Sequence, residues 1–132
     1  MDGIIDFIEQ YFEDFDFNGE SSFDIQSVNN VALPKDYLMF MKEHNGGEGS
    51  VGESAYLMLF RLEELQQMND AYHVEEFLPE HYFIGSSGGG EFYGVDKDGN
   101  FFAVPAIPMS LEEKIILGNT FSDFIKNLED YL

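Results

Sequence analysis

Three histidines and twenty-six Asp and Glu side chains are the groups in this 132-residue chain best suited to hold a metal or move a proton. His73, Glu76 and His81 are metal-ligating types close together in sequence. Their spacing matches no His-x-x-x-His pair on one helical face, so surface or capping roles are expected instead. The same holds for His44, which falls at a helix end, where imidazole meets the last carbonyls. Asp96-Lys97-Asp98-Gly99-Asn100 has the opening of a calcium loop, but such a loop ends in a Glu at its twelfth position. Counted from Asp96, that position is Ile107. Asp-Gly between alternating strands predicts a hairpin turn. Gly85-Ser86-Ser87-Gly88-Gly89-Gly90 has the composition of a phosphate loop without its terminal Lys and Ser or Thr, and Glu91 follows. A carboxylate there repels phosphate, so the stretch is read as a tight strand connection. There is no cysteine nucleophile and no Gly-x-Ser-x-Gly elbow. Nothing in these motifs points to an enzyme, and no catalytic residue, metal or cofactor is expected.

The chemistry that remains is charge. Six Lys and Arg leave a formal net charge of −20. Such a field repels nucleic-acid phosphate and anionic lipid and attracts a basic protein. An acidic surface also keeps a protein soluble, which is the plainer reading of the same residues. Eight acids, from Asp2 to Asp24, precede the first cation, Lys35. Two runs are the candidate contacts for a cationic partner. The first is Glu9, Glu13, Asp14 and Asp16 with Phe17, where rings alternate with carboxylates. The second is Glu75, Glu76 and Glu80, before the Gly-rich stretch. Rings left outside the core beside acids would receive arginines by cation–π contact and ion pairing. Core packing is the competing use of the same rings.

The elements that must position these residues can be read from periodicity. Ile4, Ile5, Ile8, Tyr11, Phe12 and Phe15 recur at helical spacing. Pro34 suits the first position of a second helix, which Asn45-Gly46-Gly47 stops. Tyr56 to Phe60 reads as a strand, with a short one before it near Ser50-Val51. Leu62, Leu65, Met68 and Tyr72 mark a third helix. Tyr82–Ile84, Glu91–Val95 and Asn100–Val104 read as strands, with an edge strand at Ala106-Ile107 between two prolines. Thr120 caps a last helix with the stripe Phe121, Phe124, Ile125, Leu128 and Leu132. Hydrophobic residues make up 44% of the chain, with fourteen Phe and seven Tyr, enough for a core despite the charge. The prediction is an α+β fold, one domain over residues 1–132, with a largely antiparallel sheet flanked by about four helices. The N-terminus lacks a secretory pattern and no apolar run is long enough to span a bilayer, so a cytoplasmic protein without membrane association is expected.

The order of these motifs resembles the SUKH superfamily, in its branch similar to the fungal Smi–Knr cell-wall synthesis regulators. The resemblance rests on Leu33-Pro34-x-x-Tyr37, a helix ending in Asn45-Gly46-Gly47, and Leu62-Glu63-Glu64-Leu65. Phe83-Ile84-Gly85, the Gly-rich stretch ending in Glu91, an Asp-x-x-Gly turn and Phe121-x-x-Phe124-Ile125-x-x-Leu128 complete it. It runs from about Leu33 to Leu128. It implies a main sheet flanked by helices and, in bacteria, an immunity protein that neutralises a polymorphic toxin, often a nuclease or deaminase, by binding it in the cytoplasm. The fungal relatives imply a scaffold or regulatory module instead. The Trp that family members often carry is absent here, and no toxin-facing residue transfers. The motif positions Leu33, Pro34, Gly46, Gly47 and Gly85 read as structural.

Overall fold

Pro34 and Asn45 bound the first helix that the structure describes. Pro34 is extended (φ −60°, ψ 143°) and α1 runs over Lys35–His44, so the proline precedes the helix rather than opening it. At the other end Asn45 takes the left-handed conformation, φ 50°, and its N–H closes on the Met41 carbonyl. Gly46 follows at φ +78°, where any Cβ would stand 2.5 Å from the Leu59 carbonyl oxygen. The Asn-Gly stop is therefore both a cap and a point where helix and sheet touch. The computed structural model describes Phe12 and residues 14–28, 31–52, 55–107 and 109–131.

Among those residues the strands are β1 (Phe15–Phe17), β2 (Ser27–Val28), β3 (Val31–Ala32), β4 (Gly47–Val51), β5 (Ala55–Leu59), β6 (His81–Ser86), β7 (Glu91–Asp96), β8 (Phe101–Pro105) and β9 (Ile115–Gly118). After α1 come α2 (Leu65–Ala71), entered through a 3₁₀ turn at Leu62–Glu64, then α3 (Val74–Phe77) and α4 (Phe121–Tyr131). Seven strands form one sheet in the order β1-β4-β5-β6-β7-β8-β9, and every pairing is antiparallel. β2 and β3 pair separately. The α+β class and antiparallel sheet are as the sequence predicts.

Because side chains alternate across a sheet, register assigns each residue to a face. Tyr82, Ile84, Tyr93, Val95, Phe101 and Ala103 belong to a core shared with Tyr37, Phe40 and Met41 of α1 and Phe121, Phe124, Ile125 and Leu128 of α4. Phe101 stacks on Phe124 with ring centroids 5.2 Å apart and planes 14° apart. Phe83, Phe102 and Val104 form a second core with Val74 and Leu78, against which Phe92 packs. Phe83 and Phe92 stack at 4.6 Å and 7°. Burial on both faces explains why Tyr82-Phe83-Ile84 reads as an unbroken apolar run.

Three further expectations are corrected. Most of the helix expected over Ile4–Phe15 lies outside the described residues, but Phe15 is a strand residue, paired across from Gly49. Phe15-Asp16-Phe17 alternates with period two and follows that rule here. Ala106 and Ile107 form a bend and turn, with Ile107 91% exposed, and the strand that edges the sheet beside β8 is β9. His81 is a buried member of β6, not a surface group. The Asp96–Gly99 turn is the predicted hairpin connection, with Asp96 Oδ1 accepting the N–H groups of Asp98 at 2.9 Å and Asn100 at 3.0 Å. Thr120 caps α4 by accepting the Asp123 N–H at 3.0 Å. Among the described residues no helix is long and apolar enough to cross a membrane.

Candidate interaction face

The two sheet faces are not equally covered. α1 and α4 pack against the first core. On the other face, α2 and α3 lie against β6; Val74 of α3 and Leu78 just after it meet Phe83, Phe102 and Val104, and Asn69 of α2 bonds the Phe83 backbone. Cross-strand pairing carries that second face onward from Val104 to Phe92, Ser86, Met58, Glu48 and Asp16. Over β5, β4 and β1 none of the described helices covers it. Asp16 and Glu48 are exposed, Met58 is half-buried, and Tyr56 is 42% exposed. The Tyr56 hydroxyl donates to Glu48 Oε2 at 2.7 Å, which fixes the ring over the strand. That bond, ahead of burial and the charges of Glu48 and Asp16, raises the Tyr56 phenol above its ordinary pKa. Tyr72 borders the open area, its ring 4.6 Å from Phe92.

None of the chain's six cations forms an ion pair with Asp16 or Glu48. Lys97 pairs with Glu80 at 2.7 Å, and Lys114 with Asp96 at 2.9 Å. Arg61 lies 4.0 Å from Glu64. Lys35 and Lys42 belong to α1 and Lys126 to α4, the layer behind the sheet. Asp16 and Glu48 stand opposite each other across β1 and β4, where like charges are unfavourable.

The structure separates the sequence candidates. Glu9 and Glu13 lie outside the described residues. Asp14 and Asp16 are exposed. Phe17 is half-buried and turns to the opposite face, its ring 4.3 Å from His44 and 6.0 Å from Phe40. Phe12 and Phe15 are buried, so core packing takes these rings. In the second run, His73 at φ 54° turns α2 into α3. That turn brings Glu75 and Glu76 beside Asp70 around an open depression of about 360 Å³ that also includes Asn69 and His73. Glu80 is turned away into its pair with Lys97.

Two polar arrangements escape sequence reasoning. Asn45 Oδ1 accepts the Leu62 N–H at 2.9 Å and Nδ2 donates to Glu63 at 2.8 Å, joining the helix stop to the 3₁₀ turn. That bond, first among its causes, lowers the Glu63 carboxyl. Lys114 Nζ lies 2.9 Å from both Asp96 Oδ2 and His81 Nε2. An ammonium only donates, so Nε2 accepts, and Nδ1–H donates to the Pro79 carbonyl at 2.9 Å. His81 is thereby held neutral. Burial chiefly lowers its pKa. Burial pushes Asp96 up, but the Lys114 hydrogen bond and the backbone N–H groups outweigh it, so its carboxyl is lowered. No sequence signal links three residues on β6, on β7 and just before β9. Among the described residues no group of three or more His, Asp or Glu is placed to hold a metal ion.

The model of the SMI1 / KNR4 family (SUKH-1) matches residues 20–127, most of the chain. No curated protein matches it.

Proposed function

We propose that this chain, which belongs to the SMI1 / KNR4 family (SUKH-1), is an immunity protein that neutralises a basic polymorphic toxin. It binds the toxin stoichiometrically in the cytoplasm and turns nothing over. The observation that carries this reading is the net charge of −20 with an open sheet area whose carboxylates Asp16 and Glu48 form no ion pair among the described residues. Nuclease toxins must bind phosphate and are basic on their working face. An acidic protein occupies that face as a phosphate mimic. A deaminase acting on nucleic acid presents the same charge.

Affinity capture from the native organism, read by mass spectrometry, tests the identity of the partner. Stopped-flow association then tests the mechanism. Steered encounter approaches ~10⁸ M⁻¹s⁻¹ at low salt and falls as ions screen it. A rate indifferent to salt removes steering from the account. The family match equally supports a second reading, a non-enzymatic regulatory module like the fungal members that the resemblance implies. A toxin gene immediately upstream favours the first reading. A pathway neighbour and no toxin favours the second.

A further inference from the structure

We propose that the open half of the sheet, Tyr56 and Met58 flanked by Asp16 and Glu48, is the docking surface for an extended arginine-bearing segment of the partner. This rests on the reading that the partner is a basic protein, and it names the surface and the side chain that surface selects. Asp16 and Glu48 face each other across two strands, a like-charge pair that costs stability when nothing lies between. A cation set there turns the repulsion into two attractions. Tyr56 adds a ring held in place through its hydroxyl on Glu48. A planar guanidinium stacks on that ring and serves both carboxylates, whereas an ammonium offers a point charge and no plane. The tip glycine Gly88 packs on the same two side chains, a Cβ there standing 3.2 Å from the Met58 sulfur and 3.8 Å from the Tyr56 ring, so it braces them from one side. A second copy of the chain is a poor occupant, because it brings another −20 charge to an acidic surface.

The probe is a ten-residue peptide of alternating Arg and Gly, with its Lys–Gly counterpart. Titrated into the intact protein, the Arg peptide should shift the Tyr56 ring and Met58 methyl resonances and bind about threefold more tightly than the Lys peptide. Asp16→Asn with Glu48→Gln should weaken it about tenfold. Glu112→Gln with Glu113→Gln, the same charge change beside β9 at the far edge, should weaken it less than about twofold. Asp16→Asn alone should raise the melting temperature of the free protein while weakening the peptide, which a merely structural Asp16 would not do.

Stationary Tyr56 and Met58 signals, or equal weakening in the two double variants, would overturn the surface. So would a dimer that Tyr56→Ala dissolves. If a basic toxin is captured and D16N/E48Q binds it like the parent, the surface is wrong and the immunity reading stands. If the peptide docks as described but no toxin is captured, the surface stands and the immunity reading falls.

Discussion

The Asn69 carboxamide bonds both backbone groups of Phe83. Its Oδ1 accepts the Phe83 N–H at 2.7 Å, and its Nδ2 donates to the Phe83 carbonyl at 3.0 Å and to Leu65 at 2.8 Å. The pairing of β5 with β6 covers only Met58 with Ser86 and Leu59 with Gly85. Phe83 lies beyond it, and a side chain from α2 stands where a strand would. Asn69 is 1% exposed, so water does not substitute. Leaving a buried donor or acceptor unpaired costs about 1–3 kcal/mol. Asn69→Ala should therefore destabilise by about 2–4 kcal/mol, and Asn69→Asp by more, because its carboxylate would face two carbonyls. Urea unfolding measures this. A loss under about 1 kcal/mol for the Ala variant would mean that β6 finds other partners at Phe83.

Acid should loosen the sheet at the His81 end before it protonates the surface carboxylates. His81 has its pKa lowered from 6.5 in the folded state, and His44 is lowered likewise, by burial first. The unfolded chain takes up these protons first, so stability present above about 6.5 declines as pH falls below it. Asp96 is lowered from 3.8, so its contribution is lost only as pH falls through and below that value. Glu80, Lys97 and Lys114 complete the charged groups around His81. Protonating surface acids relieves repulsion, but chiefly near pH 4. Between pH 7.5 and 5.5 the histidines decide the sign. The melting temperature should fall over that interval, and His81→Gln should flatten the fall. An equal slope in the variant would assign the effect to His44.

Much of this was legible because the signals are local. Asn45-Gly46 stops a helix by its own conformational range, the Asp96–Gly99 turn is closed by its own carboxylate, and the α4 stripe has one clear period. Burial on a single element is what periodicity reports. The losses are non-local. Ile115-Ile116-Leu117 is a short apolar run, and nothing in its sequence tells an edge strand from the Ala106-Ile107 segment chosen instead. Asn69, His81 and Lys114 look like ordinary polar residues until the fold supplies Phe83, Pro79 and Asp96. The open half-face is invisible for the same reason. Asp16 and Glu48 lie far apart in sequence, and only the β1–β4 register sets them opposite each other.

Salt should stabilise the free protein. Twenty net negative charges repel in the compact state, and the Debye length shortens to about 10 Å near 0.1 M. The melting temperature should rise between 10 and about 150 mM sodium chloride. D16N/E48Q should show a smaller rise, since it removes one opposed pair. No change with salt would mean that the carboxylates are spread widely enough for self-repulsion to matter little.

The two acidic runs make different kinetic predictions. Asp14 and Asp16 precede or occupy β1, and Asp16 sits on the open face beside Tyr56. Glu75 and Glu76 stand on α3 at the rim of the covered half, and Glu80 is engaged by Lys97. A carboxylate desolvated against a partner cation costs about 2–5 kcal/mol when removed and acts on dissociation, whereas a rim carboxylate mainly slows association. Against the captured toxin, Asp14→Ser with Asp16→Ser should raise the dissociation rate at least about tenfold. Glu75→Ser with Glu76→Ser should lower the association rate by a few-fold and leave dissociation nearly unchanged. Glu80→Ser should do little to either, because its exposed partner Lys97 is freed into water. Circular dichroism confirms that each variant is folded. The reverse pattern, with dissociation moved by Glu75 and Glu76, would place the contact over the α2–α3 depression and away from β1.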